Sequence, residues 1–182
     1  MKLIKLTDRE NKTKNDTKWG VNVTHEFPET KNPELCSNTV IHAYKSMNQA
    51  LLMRHVHGIN SDFNIWEADG EVVVEDATKV GVFSLTTIQM LQPPEWYKNN
   101  TTRNRVQIKF AILCAKAVLH IFEDKLPSDT RPREAIEAAE SWLKGAAAYA
   151  AAYAAAYAAD AKLDLVKFAD EAIDYVENET NN

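Results

Sequence analysis

The sequence predicts an α+β chain. Residues 1–95 read as a small mixed α/β part with a β-hairpin, and residues 96–182 as an all-helical part, packed on it or linked to it. Three observations carry this. Before Pro93-Pro94 the apolar residues come in short β-rich runs separated by turn residues, and after it they recur at spacings of three and four. Asp69-Gly70 lies between two β-rich arms, and Asp-Gly supplies the positive φ that a tight hairpin turn requires. Residues 146–159 are alanine apart from three tyrosines, and alanine is the strongest helix former because it loses no side-chain rotamer entropy.

The elements follow in order. Lys2–Leu6 and Trp19–Val23 are short apolar pieces that suit strands, with the apolar-free stretch Asp8–Thr17 as an exposed loop between them. Asn38–Met53 has helical spacing through Val40, Ala43, Tyr44, Met47 and Leu51. The Asp69-Gly70 hairpin comes next, then a further strand within Lys79–Leu91 that the two prolines close. Thr102–Asp124 is a helix with Val106, Phe110, Leu113, Ala117 and Ile121 as its apolar stripe. Leu126-Pro-Ser breaks it. Asp129 or Thr130 can cap the next helix, whose first turn holds Pro132, where a missing N–H costs nothing. Residues 146–177 form one long helix, or two that turn near Asp160. The helical core is expected to contain Phe110, Leu113, Ile136, Trp142 and Leu165.

Composition narrows the function classes. A chain of 182 residues with 45% apolar and 26% charged residues is ordinary for a globular protein, and its net charge of −5 argues against one built wholly around a nucleic-acid backbone. The charge is uneven. Between Trp96 and Phe122 there are five lysines and arginines and no acid, while from Asp160 onward seven acids face only Lys162 and Lys167. Two cysteines make no disulfide framework, no 18-residue apolar run suits a bilayer, and the N-terminus is too polar for a signal peptide. The expectation is a cytoplasmic protein with no membrane contact.

Chemistry-bearing residues are sparse. Cys36, His42, His55 and His57 include zinc-ligand types, but at poor spacing, and His55 and His57 would share a face only if that piece were extended. A core or hydrogen-bonding role suits each of them better. Cys36 and His42 lack an oxyanion hole and a third partner, and there is no Gly-rich phosphate loop. Glu67, Asp69, Glu71, Glu75 and Asp76 make an acidic stretch whose ordinary role is a solvated face. The expectation is therefore no catalytic residue, no metal, no cofactor and no small-molecule substrate.

Surfaces are the better candidates. Arg103, Arg105 and Lys109 lie in a basic segment, 98–116, that could touch DNA, although a solvated helix face is the commoner use. Tyr149, Tyr153 and Tyr157, four apart, form a slowly winding ridge on one side of a helix, and tyrosine is enriched at interfaces. Packing on the chain's own helix is the alternative for them. Asp170 and Asp174 belong to the acidic end. Arg131 and Arg133 begin a helix, where the dipole disfavours cations, so carboxylate partners such as Glu134, Asp160 or Asp164 are expected.

Several of these residues carry a resemblance. Cys114-Ala-Lys-Ala-Val-Leu119, Phe122-Glu123 and the run from Asp129 through Arg131-Pro-Arg133, Ala135-Ile-Glu-Ala138 and Trp142 to Gly145 resemble the helical immunity-protein domain of bacterial and phage genomes, over about residues 103–176. Leu35-Cys-Ser37, Val40-Ile-His-Ala-Tyr44, Ile65-Trp-Glu67 and Lys79-Val-Gly81 resemble a domain of unknown function common in phage accessory proteins. Together, at this length, they are similar to phage and prophage anti-CRISPR proteins that inhibit type II-A Cas9. The resemblance implies a non-enzymatic inhibitor that binds the Cas9–guide RNA complex and hinders target DNA binding or cleavage. A toxin-neutralising immunity protein is the alternative that it implies.

Overall fold

The computed structural model describes residues 1–59, 62–144 and 164–180. Strand β1 (Lys2–Asp8) opens the chain, followed by β2 (Lys12–Thr13), a 3-10 turn, β3 (Thr17–Lys18), β4 (Val23–Glu26), β5 (Ile41–Ala43) and helix α1 (Met47–Met53). Strands β6 (Phe63–Asp69), β7 (Val72–Glu75), β8 (Val80–Val82) and β9 (Ser84–Leu91) come next. Helices α2 (Glu95–Lys98), α3 (Asn100–Lys125), α4 (Arg131–Leu143) and α5 (Leu165–Thr180) complete the described chain. The class is α+β, with antiparallel strands first and helices after. Two units result, Met1–Pro93 and Pro94–Asn182.

The first unit holds a four-stranded sheet of order β1-β6-β9-β4 and a three-stranded sheet of order β5-β8-β7. Strand β1 pairs with β6 from Lys2 opposite Asp69 to Asp8 opposite Phe63. On its other edge Ile4 and Tyr44 exchange both backbone bonds, at 2.8 and 2.9 Å, which ties the first sheet to the chain just after β5. Residues 3–7 are therefore buried on both faces of the strand. Leu3, Ala68 and Leu85 of the first sheet pack with Ile41, Ala43, Val80 and Val82 of the second and with Trp19 as one core.

Local features of this unit depart from expectation. Asp69-Gly70 does not turn a hairpin: β6 and β7 lie in different sheets, and Gly70 carries no positive φ. Gly70 is needed because a Cβ there would sit 2.8 Å from the Ser84 carbonyl oxygen. The hairpin falls one strand later, β7 to β8, around Asp76. The stretch Lys79–Leu91 is two strands in two sheets rather than one. Only Met47–Met53 of the expected Asn38–Met53 helix is helical; Ile41–Ala43 pairs with β8, and Ser46 caps α1 by accepting from the Gln49 N–H. The strand expected at Trp19–Val23 begins instead at Val23. The loop Asp8–Thr17 contains the β2–β3 ribbon, with Asn11, Asn15 and Asp16 at positive φ, a region Asn and Asp tolerate.

In the second unit Asn99 caps α3 by accepting from the N–H groups of Thr101 and Thr102. Ile112 and Ala115 of α3 pack against Ile136, Ala139 and Leu143 of α4. Helix α5 is amphipathic, with Leu165, Ala169, Ala172, Ile173 and Val176 buried at spacings of three and four. Phe110, Ile136 and Leu165 are core residues as expected, whereas Leu113 and Trp142 are half-buried. The expected stripe on α3 holds through Val106 and Phe110 and then leaves the core, since Ile121 is 44% exposed. The burial shifts to Ile112 and Ala115 because α4 covers that side. Arg131 and Arg133 do pair with carboxylates, but with Asp129 and Glu123. Asp160 and the tract 146–159, with any continuation of the helix there, lie outside the described residues.

These positions separate in a denaturation experiment. Ile136→Ala should cost about 2–5 kcal/mol, as for a core truncation. Ile121→Ala should stay within about 0.5 kcal/mol, as for an ordinary surface change. Urea unfolding followed by circular dichroism checks both, and equal losses would reject the assignment of the α3 faces.

Candidate functional site

The basic residues proposed for nucleic acid are engaged inside the helical unit. Arg103 donates to the Asn100 side-chain oxygen at 2.7 Å, and its guanidinium lies 5.0 Å from the Tyr97 ring. Arg105 pairs with Glu179 at the end of α5. The Lys109 ammonium stands 4.1 Å from the Tyr175 ring, and Lys116 pairs with Glu140 at 2.6 Å. Hydrogen bonding to Glu179 pushes the Tyr175 hydroxyl pKa up. This part of the basic segment therefore fastens α3 to its neighbouring helices.

The acidic end is exposed. Asp170 and Asp174 are exposed on α5, beside exposed Glu171 and Glu177 and opposite the buried stripe. The structure thus brings these acids onto one outward helix surface. Tyr149, Tyr153 and Tyr157 lie outside the described residues.

The first unit contains a feature that sequence reasoning missed. A cavity of about 610 Å³ is lined by residues of β1 and the β2 ribbon together with Cys36, His42, Tyr44, residues 56–59 and Lys79. Strand alternation puts Lys5 on the same face as Leu3, so its stem enters the core, and it is only 8% exposed. Its ammonium donates to the His42 carbonyl at 2.7 Å and lies 5.0 Å from the Trp19 ring. Burial lowers its pKa to about 8. Lys79, also 8% exposed, is placed by the β7–β8 turn, where one Asp76 carboxylate oxygen accepts from the N–H groups of Thr78 and Lys79 and from the Thr78 hydroxyl. The signal available in the sequence was a lysine at an inward strand position, flanked by Leu3 and Thr7.

Both imidazoles in the cavity act as acceptors. Cys36 N–H donates to His42 Nε2 at 3.0 Å, which leaves the proton of the neutral ring on Nδ1. The nitrogen nearest Cys36 is thus occupied by its backbone, in a residue at φ 61°, and not by its thiol. His57 Nδ1 meets the Tyr44 hydroxyl at 2.7 Å, and its Nε2 lies 3.4 Å from the Lys79 ammonium. Desolvation, then the charge of Lys79, lowers the His57 pKa to about 4, and desolvation lowers that of His42. His55-Val56-His57 is a turn, not an extended piece, so the two imidazoles do not share a strand face. Among the described residues no group of three His, Cys, Asp or Glu side chains could hold a metal ion. Cys114 is buried and its thiol is pushed up to about 12. The acids expected as one hairpin face are dispersed: Glu67 meets Lys2 and Gln89, Asp69 the N-terminal ammonium, and Glu75 Lys45. Among the described residues no helix is long and apolar enough to cross a membrane.

Comparison with known proteins gives one family. Residues 98–164, which include all of α3 and α4, match the model of the Imm-5 like putative immunity protein. No curated protein and no solved structure gives a significant match.

The lowered His57 pKa sets a pH dependence. The unfolded ring binds a proton near 6.5 and the folded ring only near 4, so stability is full above 6.5 and falls as pH drops toward 4. His57→Gln should flatten that part of the thermal-stability profile, and an unchanged slope between those limits would remove His57 as its source.

Proposed function

We propose that this chain is a non-enzymatic immunity-type protein that neutralises a toxin by binding it in the bacterial cytoplasm. The observation that carries the reading is the family match over residues 98–164, which falls on the α3–α4 core of the helical unit. The electrostatics support a particular contact. Arg103, Arg105, Lys109 and Lys116 of α3 are engaged with Tyr97, α5 and α4, and Asp170 and Asp174 are exposed on α5, so a partner with a basic surface suits the acidic face of α5. That face lies C-terminal to the matched segment and adds to it independently.

A Cas9–guide RNA partner was the expectation from overall resemblance. Neither the fold nor the family match bears on Cas9 inhibition, so it enters here as the comparison arm of the test. Direct DNA contact through 98–116 forms no part of the reading, because Arg103, Arg105 and Lys109 are already held by neighbouring groups.

The test is a growth assay in which this chain is co-expressed with a candidate toxin, run in parallel with a Cas9 cleavage assay. The wild-type chain should restore growth at stoichiometric expression and leave Cas9 cleavage unchanged. Asp170→Lys/Asp174→Lys should lose protection while keeping its helical content, and Arg103→Glu should keep protection. Cas9 inhibition without protection from the toxin would overturn the proposal.

A further inference from the structure

The cavity of the first unit is independent of the helical surface. Four lysines line it, Lys5, Lys12, Lys14 and Lys79, against a single carboxylate, Asp8. Asp8 is already occupied, since one of its oxygens accepts from the N–H groups of Glu10 and Lys12 at 2.9 and 2.7 Å. Lys12 is paired with Glu10 and Asp16. Lys5 is different. An ammonium has three donors, and its one hydrogen-bond acceptor among the described residues is the His42 carbonyl, with no carboxylate in ion-pair range. Lys79 reaches His57 Nε2 at 3.4 Å and its one carboxylate partner among the described residues, Asp76, at 3.7 Å. Two nearly buried lysines, one from β1 and one from the β7–β8 turn, thus line the same cavity with donor capacity left over.

A buried cation without a close counter-ion is costly, because desolvation is not offset by an ion pair. A ligand anion can supply what the chain does not. Two ammonium groups match a dianion, and a phosphomonoester carries about −1.5 to −2 charges at pH 7. The cavity, about 610 Å³, is within the size range of small-molecule sites and larger than a bare phosphate needs. Its remaining wall includes Leu6, Ile59 and Val56, and Val56 is 65% exposed. An apolar side chain left that open beside a cationic cavity suits the body of a ligand whose anionic end lies deeper.

We propose that this cavity is a binding site for a small phosphorylated molecule, with the phosphate held by Lys5 and Lys79 and an apolar body resting against Val56 and Ile59. The site does not depend on toxin binding, so either reading can fail without the other.

Isothermal titration of the full chain with phenyl phosphate, inorganic phosphate and benzoate tests it. Phenyl phosphate should bind saturably at one site per chain, more tightly than inorganic phosphate and at least about tenfold more tightly than benzoate. Lys5→Met and Lys79→Met should each weaken it by at least about tenfold, the loss of one charge-assisted hydrogen bond. Lys98→Met, in the helical unit, should leave it unchanged. Val56→Asp places an opposing charge at an exposed position with little risk to folding and should also weaken binding. No saturable binding of phenyl phosphate, or equal binding by the wild type and the Val56→Asp variant, would overturn the proposal. So would benzoate binding as tightly as phenyl phosphate.

Discussion

Strand β1 bonds along both edges, and the N-terminal unit depends on that. One edge carries seven residues in register with β6; the other carries the Ile4–Tyr44 bridge to the chain leaving β5. A strand held this way cannot slip by one residue, because a slip would exchange Leu3 and Lys5 with Ile4 and Leu6 and misplace side chains that are buried on both faces. The same alternation that sends Leu3 into the core sends Lys5 after it. The Lys5 ammonium then ends at the His42 carbonyl on the second sheet. A strand that joins two sheets thus also carries a cation into the interior.

In the helical unit, helix packing and charge pairing work together. Apolar burial of Ile112, Ala115, Ile136, Ala139 and Leu143 sets α3 against α4, and Val176 and Ile173 fix the buried side of α5. Around these contacts the long basic side chains lie across helix boundaries, Arg105 to Glu179 and Lys116 to Glu140. Exposed pairs of this kind stabilise little individually, about 0–1 kcal/mol. Their consequence is for the surface: Arg105 and Lys116 are turned to partners within the unit, and the acids of α5 stand exposed beside Lys167.

The chemistry-bearing residues were visible in the sequence only as a scattered set. Cys36, His42 and His57 looked unrelated at their spacings, and the structure joins the two histidines with Tyr44, Lys5 and Lys79 in one cavity by folding β5, the turn after α1 and the β7–β8 turn together. No local spacing encodes that meeting. Asp69-Gly70 shows the same limit from the other side. The dipeptide is the usual hairpin signal, but here the glycine answers to the nearby Ser84 carbonyl, a constraint that exists only once β9 is in place.

Readable in the chain alone were the α+β class, the change of character at Pro93-Pro94, the N-terminal strand, and two helices separated at Leu126, the second with Pro132 in its first turn. These rest on hydrophobic period, capping and proline geometry, which act within a few residues. Long-range packing sets which strands share a sheet, which side of α3 is covered, and which carboxylates Arg131 and Arg133 meet. It also brings Lys5 and Lys79 to one cavity. Those outcomes depend on groups tens of residues apart, whose proximity is set by burial and long-range pairing rather than by any local preference.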